Sequence, residues 1–263
     1  MVRNFLGLRA LETCGLHLVI VRLAISCLLV VSGTLFAQSP ECVFESGPQK
    51  SHLLELFTSQ GCSSCPPAEA WLSKLRTNPR LWKDFVPLAF HVDYWDHLGW
   101  RDPFASREWT ARQQKYAEGW RTGTVYTPGF VLDGKELREP SVPPASKETP
   151  GVLKLTVTRG SVMGDFRPND ATLAQGTFHV ALLLFDQSTK VTAGENHGHE
   201  LKQDFVVLKE FRGELVHGKT VLPIPSDVGF GAVAGWITVQ DRLEPVQATG
   251  GWVPRSFSDR LPP

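Results

Sequence analysis

Two thiols set close together carry the most readily recognised chemistry in this chain, in the run Cys62-Ser63-Ser64-Cys65. Cysteines three apart at the start of a helix can close a small disulfide ring. The unpaired N–H groups and dipole of that helix end stabilise a thiolate on the first of them. The thiolate is the attacking species in disulfide exchange, so the setting predicts Cys62 as the more exposed nucleophile and Cys65 as the more buried resolving thiol. Pro66 and Pro67 follow, where the missing N–H of a first helical turn costs nothing. The plainer alternative is a passive staple, although so short a loop restrains little of the unfolded chain. Soft thiolates also suit Cu(I), with His91 or His97 as a third ligand, so a copper- or other metal-binding module is a second candidate.

Other residues near the dithiol in sequence are candidates to assist it. Glu55 lies inside the apolar run Leu53–Phe57, seven residues before Cys62. A carboxylate buried in a strand has its pKa raised and can move protons for the dithiol, unless an Arg or Lys pairs with it. The segment Asp93–Pro103 concentrates Tyr94, Trp95, His97 and Trp100 with Asp93 and Asp96. Such a loop at the carboxyl end of a strand is placed to contact a ligand, with Asp93 and Trp95 as candidate substrate contacts; folding of its aromatics onto the protein itself is the alternative. His197-Gly198-His199-Glu200 could share a metal, but reads more simply as a solvated turn. No metal site and no cofactor is assigned.

The elements that must position these residues alternate. His52–Phe57 and Phe85–Val92 read as buried strands, and Ala68–Arg76 as a helix ended by Asn78-Pro79. Phe104–Trp120 has helical composition; Val125–Leu132 reads as a strand, with Asp133-Gly134 turning it into Lys135–Leu137. Strands alternating with helices predict an α/β domain over residues 50–140, a mixed sheet flanked by helices. Glu139–Pro150 holds four prolines and reads as a linker. Beyond it, strand-like runs at Val152–Thr158, Thr177–Phe185, Asp204–Phe211 and Gly231–Gln240, with no convincing helix, predict an all-β, sandwich-like domain over residues 150–255.

Composition excludes some functions and suggests a compartment. Lys+Arg and Asp+Glu each number 27 in 263 residues, and no dense basic stripe appears, which argues against a nucleic-acid partner. Arg3, Arg9 and Arg22 precede an apolar run, Leu23–Ala37, that ends on a small residue. This order reads as a secretory signal over residues 1–37, an uncleaved anchor being the alternative. A periplasmic or secreted protein follows, with no stable membrane insertion once the signal is cleaved. Cleavage removes Cys14 and Cys27, leaving Cys42 as either a free thiol or a competitor for the close pair.

Longer motifs point to a family. Val125-Tyr126-Thr127-Pro128-Gly129-Phe130 follows the dithiol at a distance that resembles the thioredoxin superfamily. The resemblance implies a cis Pro128 packed against the cysteines and a Thr127 backbone offered to an extended substrate. Leu54–Pro67, His91-Val92-Asp93-Tyr94-Trp95-Asp96, Leu98–Phe104, Arg112-Gln113, Tyr116-Ala117 and Gly194-Glu195-Asn196-His197-Gly198 are similar to a secreted bacterial family with a thioredoxin-like domain, catalogued as domain of unknown function 1223. The chain departs from the pattern at Asp204, where Asn is expected, and in its extra Cys42. It also lacks the Trp that precedes the first active cysteine in thioredoxin, an argument against a general reductase role. The sequence therefore predicts an exported thiol–disulfide oxidoreductase-like protein acting on a protein disulfide or dithiol, with a metal-binding module or a non-catalytic binding protein as the alternatives.

Overall fold

Leu53, Leu54, Leu56 and Phe57 are fully buried, so the strand that carries them is covered on both faces. The computed structural model describes residues 41–239 and 242–254, and the signal expected over residues 1–37 lies outside them. The strands are β1 (Cys42–Glu45), β2 (His52–Thr58), β3 (Phe85–His91), β4 (Gly129–Leu132), β5 (Lys135–Leu137), β6 (Gly151–Val157), β7 (Ser161–Pro168), β8 (Thr177–Leu184), β9 (Gln187–Lys190), β10 (Glu200–Gln203), β11 (Val206–Glu214), β12 (Lys219–Pro223), β13 (Ala232–Thr238) and β14 (Pro245–Trp252). The α-helices among the described residues are α1 (Pro66–Lys74) and α2 (Arg107–Gly119).

The assembly corrects the expected fold. The sequence predicted a helix-flanked, thioredoxin-like α/β domain followed by an all-β sandwich-like domain. Instead the protein is mostly β, and strands from both regions share one mixed sheet of eight, in the order β14-β13-β8-β11-β3-β2-β4-β5. The junction is the pairing of β11 with β3, which is parallel at Val206 and Ala89; the Ala89 N–H donates to the Phe205 carbonyl at 2.8 Å. The physical reason lies in β3, buried along its whole length, which needs a neighbour on each edge and finds one in β2 and the other in β11. Hydrophobic periodicity marks strands but does not name their partners. The proline-rich stretch read as a linker is pinned to the residues that flank β2 and β3, with the Pro143 carbonyl accepting from Arg80 and the Glu148 carbonyl from the Lys50 N–H. A second, antiparallel sheet, β1-β6-β7-β12, packs Leu153, Leu155 and Phe166 against Phe178, Val180 and Leu182 of β8.

Alternation along β2 decides what each helix meets. Leu53 and Phe57 join Trp109 and Tyr116 of α2 in one core cluster, whereas Leu54 and Leu56 join Ala68 and Leu72 of α1 in another. The helices therefore cover opposite faces at one end of the sheet, and Glu55 falls on the α2 face.

Candidate dithiol site

Cys65 is the residue before α1, and its carbonyl accepts from the N–H groups of Ala68 and Glu69, starting the helix that Pro66 and Pro67 open. Cys62 and Cys65 are joined as a disulfide with Cα atoms 5.5 Å apart. The Ser64 hydroxyl donates to Cys62 Sγ at 3.3 Å. The Thr127–Pro128 bond is cis, and the Thr127 carbonyl oxygen lies 3.7 Å from Cys62 Sγ. Trp95 closes this side: its Nε1 donates to Thr127 Oγ1 at 2.8 Å, and its Cβ would approach a Cβ at Gly61 to 2.9 Å. Thr127 thus links Trp95 to the Cys62–Cys65 pair, with Pro128 next to it in the chain.

Two expected members of the site lie elsewhere. Asp93 accepts from the Thr110 hydroxyl at 2.6 Å, which ties the aromatic loop to α2. Glu55 faces α2, where Arg112 Nε donates to it at 2.7 Å and the Tyr116 hydroxyl at 2.5 Å. Arg112 also lies 4.0 Å from Glu210, whose other carboxylate oxygen is 2.7 Å from His179 Nδ1. The strand's own alternation carries Glu55 to the face away from α1, and the guanidinium supplies the partner a buried carboxylate requires.

The expected difference in exposure between the cysteines is also corrected, since both are fully buried. The cover comes from the turn between β9 and β10. Asn196, itself buried, donates through Nδ2 to the carbonyls of Gln60 and Cys62, both at 2.9 Å. Glu195 Oε2 accepts from the Ser63 N–H at 2.9 Å and the Ser63 hydroxyl at 2.7 Å; those two bonds hold its carboxyl below the usual range. Their sequence motif was legible, but nothing in it told that it reaches the cysteines.

Behind the dithiol turn runs a buried polar chain that sequence reasoning also missed. The Gln60 N–H donates to Asp102 Oδ2 at 2.8 Å, and the same oxygen lies 2.7 Å from His91 Nδ1. Burial disfavours an imidazolium at His91, but the Asp102 carboxylate outweighs it and raises the His91 pKa. Burial likewise opposes ionisation of Asp102, and His91 reverses that, leaving its pKa lowered. Glu69 accepts from the Thr58 hydroxyl at 2.7 Å and from Gln203 at 3.3 Å, and burial pushes its carboxyl up. His91 is thus engaged with Asp102, and His97 Nδ1 lies 2.7 Å from the Tyr94 carbonyl. Cys42 is free at the start of β1, in the smaller sheet. Among the described residues, no group of three or more His, Cys, Asp or Glu is placed to hold a metal ion.

The comparisons with known proteins bear on fold and family. A crystal structure of a structural-genomics protein from Agrobacterium tumefaciens superposes with a TM-score of 0.54 at 24% identity, covering 77% of this chain and 95% of that one; the likeness is one of fold alone. HBP35 of Porphyromonas gingivalis gives a TM-score of 0.47 at 13% identity over 77% of this chain and 75% of that one. No curated protein matches the chain. Residues 53–231 match the family described as "Protein of unknown function (DUF1223)", a span that takes in the dithiol, the cis proline and the covering turn. That span is well over half of the 263 residues, and the chain belongs to this family.

Proposed function

We propose that this protein is an exported thiol–disulfide oxidoreductase-like protein, working in the periplasm or outside the cell on a protein disulfide or dithiol. The observation that carries the reading is the juxtaposition of the Cys62–Cys65 disulfide, at the start of α1, with the carbonyl of Thr127 before the cis Pro128. The reading rests on this dithiol setting and not on the overall fold. A carbonyl that close to the first sulfur offers an extended peptide a backbone acceptor beside the reacting atom. The basic–apolar–small order of residues 1–37 supports export.

In the reduced protein, the Cys62 thiolate attacks one sulfur of a partner disulfide. A mixed disulfide forms and the partner's other sulfur leaves as a thiolate. The Cys65 thiolate then attacks Cys62 Sγ, closing the Cys62–Cys65 bond and releasing the partner's second thiol. The partner gains two electrons and the pair loses two; the reverse sequence oxidises a partner dithiol. The dipole of α1 lowers the cost of the Cys62 thiolate, because its positive end lies at the dithiol.

The test is trapping. Cys65→Ser removes the resolving thiol, so a mixed disulfide between Cys62 and the partner accumulates in cells and its mass names the substrate. Cys62→Ser abolishes exchange. If neither substitution changes exchange, while the mature protein holds Cu(I) that both release, the redox reading fails and a metal-binding role replaces it.

A further inference from the structure

A disulfide with both sulfurs fully buried cannot exchange until something moves. The segment over it is the β9–β10 hairpin, a two-stranded sheet of its own that leaves the eight-stranded sheet after β8 and rejoins it at β11. Its two stems are Phe185–Asp186 and Asp204–Phe205, and each holds one non-glycine residue in the left-handed region, Asp186 at φ 55° and Phe205 at φ 58°. Such residues are uncommon and persist where surroundings hold them. Here Arg76, just past α1, bonds Asp186 at 2.5 Å and Asp204 at 2.9 Å, fixing the hairpin base to the helix that carries the dithiol. At the far end the hairpin meets the dithiol turn through Glu195 on Ser63 and Asn196 on Gln60 and Cys62.

We propose that Glu195 and Asn196 form a displaceable cover over the dithiol site, holding the place beside Ser63 that a partner chain must take, and that the groups they cap on Gln60, Cys62 and Ser63 select that partner. The proposal rests on the exchange reading above. A partner that reaches Cys62 displaces the turn and covers the same ground, excluding water. The Ser63 N–H and hydroxyl then need an acceptor, and the Gln60 and Cys62 carbonyls need a donor, because polar groups left unpaired on burial oppose docking. A carboxylate meets the first requirement as Glu195 does, and a backbone or side-chain N–H meets the second as Asn196 does. The partner class that fits is an extended polypeptide whose cysteine is flanked by an acidic side chain.

The experiment follows loss of the Cys62–Cys65 disulfide in the mature oxidised protein by thiol alkylation and mass spectrometry. Dithiothreitol serves as the small reductant, with two reduced cysteinyl hexapeptides beside it, one with glutamates flanking the cysteine and one with alanines there. Reduction by dithiothreitol is expected to be at least about tenfold faster in Glu195→Ala and Asn196→Ala than in the unaltered protein, because opening no longer breaks the hairpin contacts. The acidic peptide is expected to form its mixed disulfide about fivefold faster than the alanine peptide, with the difference reduced in Ser63→Gly, which loses the hydroxyl and keeps the N–H. Unfolding curves accompany each variant; should Asn196→Ala lose the fold, Glu195→Ala on the exposed side still decides. Unchanged dithiothreitol rates, or equal rates for the two peptides, overturn the proposal. If both rates respond as expected but the trapping experiment finds no protein partner, the hairpin's role stands and the cellular exchange reading falls.

Discussion

Trp95 Nε1 donates to Thr127 Oγ1 at 2.8 Å, joining the aromatic loop to the residue whose carbonyl lies beside Cys62. The bond makes the placement of that carbonyl depend on a residue from a different loop. Trp95→Phe and Thr127→Val are each expected to slow exchange by up to about tenfold, the scale of one net hydrogen bond. Because they remove the same bond, the double variant should cost little more than either single one, with a coupling of about 1 kcal/mol. Kinetics of the four proteins in a double-mutant cycle measure it, and full additivity would break the link.

Gly61 is held open by the same tryptophan, whose Cβ stands 2.9 Å from where a side chain would begin. Gly61→Ala should therefore displace Trp95 and lower stability by about 1–3 kcal/mol. Tryptophan fluorescence and urea unfolding read the two effects separately.

Arg112 lies between Glu55 and Glu210 and over the rings of Phe90 and Trp236, at 5.1 and 5.4 Å from their centroids. Arg112→Met leaves two buried carboxylates without their cation and should cost about 3–5 kcal/mol in denaturant unfolding. Glu55→Gln should lower stability while leaving the exchange rate per folded molecule unchanged. A loss of exchange in folded Glu55→Gln would return Glu55 to a catalytic role.

The His91–Asp102 pair predicts a window of pH. The His91 pKa is raised above its ordinary 6.5, so its contribution to stability is full below that value and fades as pH climbs through the raised pKa. The Asp102 pKa is lowered from 3.8, so its contribution is full above that value and is lost as pH falls through the lowered one. Unfolding free energy measured across pH should show both limbs. His91→Asn should flatten the alkaline limb, and an alkaline limb of unaltered slope would remove His91 as its cause.

Local elements were legible where the pattern is local. The apolar runs around Leu54 and Phe90 are strands, and Pro66-Pro67 opens a helix as its missing donors allow. The meeting of Cys62 with Thr127 was legible only through resemblance, since nothing between them in sequence fixes it. Of the two readings of Glu55, the pairing with an arginine is the one found: alternation sends it to Arg112 rather than to the dithiol, and the sequence did not show the face. Asn196 and Glu195 were missed. A Gly-flanked polar turn looks solvated, and only the β9–β10 excursion brings it onto Ser63 and Cys62. The division into two folds failed on a partner choice, that of β3 for β11, which no periodicity encodes.

That last pairing has a consequence for biosynthesis. A ribosome delivers β3 long before β11, so the second edge of a wholly buried strand waits bare while the intervening chain is made. An uncovered strand edge of that character is a template for pairing with any passing chain. A polypeptide truncated near residue 150 would keep the edge exposed permanently, and should be recovered as aggregate rather than as a smaller soluble fold. The full chain should likewise depend on a holding chaperone until its final third has emerged.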